Sequence, residues 1–251
     1  MHLDVQNLRN FYYRSALGRA AQLAIREQVM ALWPSARGQN VVGYGFAVPM
    51  LRPYLEDAAR VIALMPGPQG VMHWPVDEPN VSVLCEETLW PLPDAHADKL
   101  LLLHGLDTSE HAAALLEVCY RVMAPEGQAL FIVPNRLSAW ARREGTPFSF
   151  ARPFTPSQIE ARLAYHGLET TRHVTALYQP PRRTKFWLKA GPLIERAGRA
   201  VPAWRGGGVL MVEVKKQIPR PTRPGLGQVI SKPLKVLEGI GKPVPEPARR
   251  R

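Results

Sequence analysis

The sequence predicts an α/β fold in which helices cover both faces of a doubly wound, mostly parallel sheet of seven strands. Short apolar runs alternate along the chain with stretches of helical periodicity. The links between them are short and carry proline and glycine. The chain has 251 residues and 46% hydrophobic content, which is enough for one large domain with a buried core. Such alternation favours parallel strands joined by helical crossovers.

A helical N-terminal region over residues 1–38 is predicted to precede the sheet. Leu17, Ala21, Ile25 and Val29 recur at three- and four-residue spacing, which is typical of one buried helix face. The α/β region follows over residues 39–214. Its seven strands are expected at 41–45, 60–65, 81–85, 99–104, 128–133, 168–178 and 209–214.

Caps and prolines predict where helices of the α/β region begin. Pro49 suits the first turn of a helix expected over residues 48–58. Asp107 and Glu110 have the spacing of a capping box and predict a second helix start. Residues 155–158 predict a third helix start. Thr155 would be the cap, followed by Pro156 at the first helical position and Gln158 at the third.

The net charge of +11 is concentrated at the C-terminus. Residues 215–251 contain ten Lys or Arg against two Glu, and also seven prolines and four glycines. This composition predicts a basic, proline-rich tail that is largely extended or disordered. Basic tails commonly bind RNA or ribosomes through salt-sensitive attraction, and a solubilising extension is the alternative.

Several classes of protein are excluded by composition. Cys85 and Cys119 are the only cysteines, so neither a disulfide framework nor a four-cysteine zinc site is expected, and no metal site is predicted. The N-terminus lacks the pattern of a signal peptide, and no apolar run is long enough to cross a bilayer. These features predict a cytoplasmic protein without a membrane partner.

Residues 39–51 have the pattern of a buried strand, a glycine turn and the start of a helix. Gly43 and Gly45 lack side chains, so a ligand could approach the backbone closely at this turn. The helix would direct its free N–H groups and its positive dipole end at that ligand. Together they describe the first unit of a nucleotide-type α/β site. A plain tight turn is the alternative.

The chain resembles the class I S-adenosylmethionine (SAM)-dependent methyltransferases, in particular the single-domain, type 11-like group. Four stretches carry the resemblance in the order that the family has them. They are the glycine turn at 43–47, the acidic pair Glu86 and Glu87, the loop and strand at 92–104, and the helix, Pro-x-Gly turn and strand at 116–130. The resemblance implies a Rossmann-like fold with an N-terminal helical extension and SAM as the cofactor.

The resemblance also implies which residues surround the cofactor. The expected cofactor-binding residues are Gly43, Tyr44, Gly45, Phe46, Ala47, Met65, Gln69, Glu86, Glu87 and His104. His104 and Asn135 follow the fourth and fifth strands, where open sheets bind ligands, and are the catalytic candidates. A histidine that is simply well bonded at a strand end is the alternative for His104. Tyr12 and Tyr13 could close over the cofactor or pack in the core.

Two departures make the cofactor loop degenerate. The family usually has an acidic residue where Gly43 stands, and glycines where Ala47 and Pro49 stand. The second strand ends in Met65 and Pro66 rather than in the carboxylate that usually binds the ribose hydroxyls. Loss of that pair of hydrogen bonds costs about 1–3 kcal/mol of binding unless another group substitutes.

The leading prediction is a SAM-dependent methyltransferase whose acceptor is RNA or a translation-associated protein. The alternative is a catalytically inactive methyltransferase-like fold that acts as an RNA-binding or scaffolding module. A nicotinamide-dependent dehydrogenase ranks last, because it needs a third glycine and an acidic residue that are missing here. The third strand, Val81 to Cys85, is an edge strand in the family's fold and could accept a strand from a small zinc-binding activator protein.

Overall fold

The computed structural model of the chain describes residues 3–200 and 206–217. Seven strands form one sheet in the order β3-β2-β1-β4-β5-β7-β6. They are β1 Asn40–Gly45, β2 Arg60–Pro66, β3 Ser82–Cys85, β4 Ala97–Leu103, β5 Met123–Pro134, β6 Leu168–Ala176 and β7 Val209–Lys216. The first five strands pair in parallel, whereas β7 runs antiparallel to β5 and β6. The predicted mostly parallel α/β sheet is confirmed.

Helices cover both faces of the sheet. They are α1 Val5–Arg9, α2 Ala16–Leu32, α3 Val48–Leu51, α4 Ala112–Val122, α5 Pro147–Phe150, α6 Pro156–Tyr165 and α7 Lys185–Ala200, with a π-helical turn at Asn10–Arg14 and a 3₁₀ turn at Arg52–Tyr54. Alternate residues of β4 point to opposite faces, as the pleat requires. Leu101 and Leu103 pack with α2 and α3, while Leu100 and Leu102 pack with α4 and α6.

The helix predicted over residues 48–58 is shorter than expected. The α-helix stops at Leu51, and one 3₁₀ turn follows it. Pro53 explains the early end, because it has no N–H to donate to the α-helical hydrogen-bond ladder. The fifth strand, in contrast, begins at Met123 rather than at residue 128, because the predicted turn is part of the strand.

The capping box predicted at Asp107 does not form. The helix α4 begins only at Ala112, and the Asp107 carboxylate lies 3.3 Å from Nδ1 of His104. The capping box predicted at Thr155 is present, with Gln158 as its reciprocal partner. The same capping-box pattern therefore marks a helix start at Thr155, whereas at Asp107 the side chain makes a tertiary contact.

The strand β7 extends two residues past the predicted end of the α/β region at residue 214. Lys215 pairs in register with Gln128 of β5, and Lys216 ends the strand. The predicted extended or disordered tail began at residue 215, and its residues 218–251 lie outside the described residues. Among the residues that the structure describes, no helix combines the length and the apolar content needed to cross a membrane.

A closed cleft at the candidate cofactor site

The carboxyl ends of β1 and β4 meet where the strand order reverses. The strand β1 lies between β2 and β4, and open α/β sheets bind ligands at such a switch point. Gly45 pairs with Leu103, and the backbone N–H of Phe46 donates to the carbonyl of Leu103 at 2.7 Å. His104 follows Leu103 directly, just after the end of β4. Phe46 and His104 therefore lie close together, as the sequence predicts.

Six ring-bearing side chains fill the space above this switch point. Tyr12 stacks on Phe46 with 5.7 Å between ring centroids, and the Phe148 ring lies 5.0 Å from that of His104. Five of the six are at most 1% exposed, and Phe11 is 8% exposed. We call this set the aromatic plug. It consists of Phe11, Tyr12, Phe46, His104, Trp140 and Phe148.

The plug draws its side chains from five separate parts of the chain. The π-helical turn supplies Phe11 and Tyr12, and α5 supplies Phe148. Trp140, from the segment after β5, contacts Phe148 edge-on at 5.6 Å and donates its indole N–H to the carbonyl of Gln179. Edge-on and stacked ring pairs of this kind add stability beyond the burial of their surface.

A buried polar chain crosses the plug. The hydroxyl of Tyr12 lies 2.8 Å from Nε2 of His104, whose Nδ1 faces Asp107. Burial, and then the charge of Asp107, raise the pKa of Tyr12 well above its usual value, so this residue stays a neutral phenol. His104 itself has a φ of 51°, a left-handed conformation that costs energy for a residue with a side chain. The polar chain ties the N-terminal segment to the end of β4.

The end of β2 is covered by α1. Met65 is fully buried, and the carbonyl of Gln69 accepts a hydrogen bond from the N–H of Val5 at 2.8 Å. The side-chain amide of Gln69 donates to the carbonyl of His104 at 3.2 Å. Met65 and Gln69, both expected to contact cofactor, instead contribute to the closed surface beneath the N-terminal helices.

The glycine turn is packed by its own neighbours. Every residue from 41 to 51 is buried. A Cβ added at Gly43 would lie 2.6 Å from Cδ1 of Leu51 and 2.8 Å from Cβ of Ala47. Gly45 has a φ of +78° and approaches the carbonyl of Leu103, so only glycine fits there. The place where the family carries its carboxylate is thus occupied by Leu51.

Replacing Gly43 with aspartate is expected to lower the free energy of unfolding by about 3 kcal/mol, because the new side chain collides with Leu51 and buries a charge. Gly67 is the matched control. It is exposed at the end of β2 and only the carbonyl of Cys85 lies within 4 Å of an added Cβ, so Gly67→Asp should change stability by less than about 0.5 kcal/mol. Urea unfolding measures both. Equal midpoints for the two variants would contradict the packing described here.

The remaining residues expected to bind cofactor lie away from the plug. Tyr44 points to the opposite face of the sheet and stacks on Trp90 with 4.6 Å between centroids. Glu87 accepts hydrogen bonds from the hydroxyl of Ser109 and from the N–H of His111. Glu86 is exposed. Glu87 therefore binds the loop before α4 through these two hydrogen bonds.

The side-chain amide of Asn135 is hydrogen-bonded at both ends within the protein. Its side-chain N–H₂ donates to the carbonyl of Gly207 at 2.8 Å, and its side-chain oxygen accepts from the N–H of Leu137 at 3.1 Å. The residue is fully buried. Both ends of the amide thus fix the turn that leaves β5.

Two buried polar atoms beside His104 have no partner among the described residues. They are Oε1 of Gln69 and Oδ1 of Asp107. Such atoms are uncommon in folded proteins, because each one costs about 1–3 kcal/mol of desolvation. They mark the one polar side of an otherwise apolar plug.

This arrangement differs from the open cofactor site that the resemblance implies. The side chains of Tyr12, Phe46 and Phe148 are fully buried at the switch point, and no carboxylate stands at position 43 or 65. A cavity of about 540 Å³ lies beside the plug and shares only Phe11 with it. Its other lining residues are Leu3, Asn7, Asn10, Ser15, Gly145, Thr146, Pro147, Phe150 and Arg183. None of residues 43–47 lines this cavity.

The sheet order, the helices on both faces and the antiparallel last strand pair define the fold of the class I SAM-dependent methyltransferases. Solved proteins with this fold include a SAM-dependent methyltransferase from Thermotoga maritima, at 18% identity and a TM-score of 0.60, with 84% of this chain and 95% of that chain covered. No protein-family model matches the sequence, and neither does any curated protein.

Two further solved structures bear on partners and cofactor. A methyltransferase in complex with the Haloferax volcanii Trm112 methyltransferase activator has 14% identity and a TM-score of 0.56, covering 76% of this chain and 88% of that one. Geranyl diphosphate C-methyltransferase from Streptomyces coelicolor, solved with S-adenosyl-L-homocysteine, has 16% identity and a TM-score of 0.51, covering 77% and 78%. SAM is therefore the cofactor named for the Thermotoga maritima protein, and the Streptomyces coelicolor enzyme binds its demethylated form.

Proposed function

We propose that this protein is a catalytically inactive form of the methyltransferase fold that acts as a binding and scaffolding module. The observation that carries the proposal is the aromatic plug, which lies buried at the switch point where open α/β sheets bind their ligands. The crowded surroundings of Gly43 support it, since they leave no room for the customary carboxylate. A fold by itself does not fix a function, so the proposal rests on the contents of the site rather than on the fold.

The inactivity proposal is tested with SAM that carries a labelled methyl group. The purified protein is incubated with total RNA and total protein from a strain that lacks its gene, so that any acceptor is still unmodified. We expect no label above that of a heat-treated sample. Label in a discrete RNA or protein species would refute the proposal and identify the acceptor.

The partner that the module binds is proposed to add a strand to the edge of the sheet. The strand β3 is one of the two edge strands of the sheet, and Val83 and Leu84 are 38% and 53% exposed along it. Leu89, just beyond the strand, is 69% exposed. An unprotected apolar edge accepts a strand from another chain through backbone hydrogen bonds. A small activator-like protein, of the zinc-binding kind expected from the sequence, fits this edge.

Replacing Leu84 with glutamate is expected to weaken capture of such a partner at least tenfold, because the charge would be buried in the new strand pair. Tagged protein purified from its native source should carry a stoichiometric small subunit, and the variant should lose it. Tyr165→Glu is the control, since Tyr165 is 86% exposed on α6. Isolation of the wild-type protein as a monomer alone would count against the edge as a binding site.

A second candidate is an active methyltransferase that opens when the N-terminal segment moves away. The unpartnered oxygens of Gln69 and Asp107 favour it, because a bound polar ligand would satisfy them. RNA or a translation-associated protein would then be the acceptor, supported by the basic tail. The variant Tyr12→Ala distinguishes the two candidates. Removing this ring from the plug would open a SAM site only if the second candidate is right.

A further inference from the structure

The helix α7 directs its large exposed apolar side chains away from the protein. Phe186 and Leu193 are 70% and 72% exposed, and their seven-residue spacing places them on one face of the helix. Gly191 and Glu195 are the buried residues of the helix and lie on the other side. The helix therefore packs through one face and presents an apolar stripe through the opposite one.

Cationic side chains flank this stripe. Residues 182–199 contain six Lys or Arg, and Glu195 is their only acidic residue. Glu195 is buried and accepts a hydrogen bond from the N–H of Gln179, so it does not offset the surface charge. Arg199 forms an ion pair with Glu27. The other five are exposed and, within the described residues, have no carboxylate partner: Arg182, Arg183, Lys185, Lys189 and Arg196.

We infer that α7 is a membrane-surface site that binds anionic phospholipid headgroups and inserts Phe186 and Leu193 between them. A helix with an apolar stripe and flanking cations lies in the plane of a bilayer interface, where apolar burial and attraction to anionic lipid add together. This site is independent of the aromatic plug and of the β3 edge. It also departs from the expectation that the protein has no membrane partner.

The side chains of the stripe favour lipid over RNA. Nucleic acid would use the cations and could stack a base on Phe186, but Leu193 has no flat face for stacking. Leu193 would remain in water in such a complex, at 72% exposure. A lipid surface accommodates both the aromatic and the aliphatic side chain. The stripe therefore matches an apolar interfacial layer bordered by phosphate groups.

The test measures binding of the full chain to vesicles of phosphatidylcholine alone and of phosphatidylcholine mixed with phosphatidylglycerol. We expect binding only to the mixed vesicles. The double variant Phe186→Ala/Leu193→Ala should bind about tenfold more weakly, and Lys185→Glu/Lys189→Glu at least tenfold more weakly. The control Val76→Ala/Leu137→Ala removes two exposed apolar side chains that lie outside α7, and should bind like the wild type. All variants keep the basic tail, so its contribution is constant.

Three outcomes would overturn the inference. One is equal vesicle binding by the wild type and the Phe186→Ala/Leu193→Ala variant. Another is equal binding to the two kinds of vesicle. The third is complete displacement from vesicles by a single-stranded RNA oligonucleotide that the Lys185→Glu/Lys189→Glu variant no longer binds and the Phe186→Ala/Leu193→Ala variant still binds with wild-type affinity, which would identify α7 as a nucleic-acid surface. Circular dichroism of each variant confirms that the fold is retained.

Discussion

Replacing Phe148 with alanine is expected to lower the free energy of unfolding by about 3–5 kcal/mol. The Phe148 ring is fully buried and lies 5.0 to 6.3 Å from the rings of His104, Trp140 and Phe11. Its loss would leave a cavity that the surrounding rings cannot fill without leaving their positions. The effect is large because one side chain joins the N-terminal segment to the end of β4.

The helix α5 itself supplies the control for this prediction. Phe150 is two residues further along the same helix and is 44% exposed, so Phe150→Ala removes the same atoms from a half-solvated site. We expect a loss below about 1 kcal/mol for that variant. Urea unfolding followed by tryptophan fluorescence compares the two. Losses of similar size would show that Phe148 is not packed as the structure has it.

Replacing Glu213 with alanine is expected to cost about 2–4 kcal/mol at neutral pH. Glu213 is 1% exposed and accepts two hydrogen bonds of 2.6 Å from Arg172 and one of 2.8 Å from the indole N–H of Trp33. The variant leaves the buried Trp33 N–H without an acceptor. Arg172 is 46% exposed and regains water, which keeps the cost below that of a fully buried ion pair.

The cost of losing Glu213 should depend on pH. Burial raises the pKa of this carboxyl, but the hydrogen bonds from Arg172, Thr171 and Trp33 together lower the pKa by more. The net result is a pKa below the usual value of 4.5. A carboxyl whose pKa is lower in the folded than in the unfolded state stabilises the protein at pH values above its unfolded-state pKa. That stabilisation is lost as the pH falls through its folded-state pKa. The difference between wild type and Glu213→Ala should therefore shrink below about pH 4.5. A constant difference between neutral and acidic pH would contradict this account.

The sheet could be predicted from the sequence because its signals are local. Each strand is a short apolar run, and the strands alternate with helical periodicity. The helix after β1 ended early because Pro53 overrode the apolar pattern of the residues around it. The strand β5 began early because Met123 already pairs with Ala97 of β4, and the Pro-x-Gly sequence typical of a turn lies in the irregular stretch before pairing resumes at Gln128. These errors concern boundaries, where local preferences are weak.

The contents of the cleft could not be predicted in the same way. The plug joins residues near positions 12, 46, 104 and 148, and no local pattern relates them. Tyr12 was a candidate for covering the site, and Phe46 for lining it, but Trp140 and Phe148 lie in a mixed stretch without periodicity. Asp107 had a helix-capping pattern, yet its carboxylate faces His104. The missing carboxylates were the one sequence signal that pointed towards a closed cleft.

Calorimetric titration of the full-length protein with S-adenosyl-L-homocysteine tests the closed cleft most directly. The closed cleft predicts no binding at millimolar ligand, both for the wild type and for Tyr12→Phe, which keeps the ring and removes only its hydrogen bond to His104. Saturable binding with a micromolar dissociation constant, weakened by substitution of Gln69, would contradict it and would restore methyl transfer as the function of this chain.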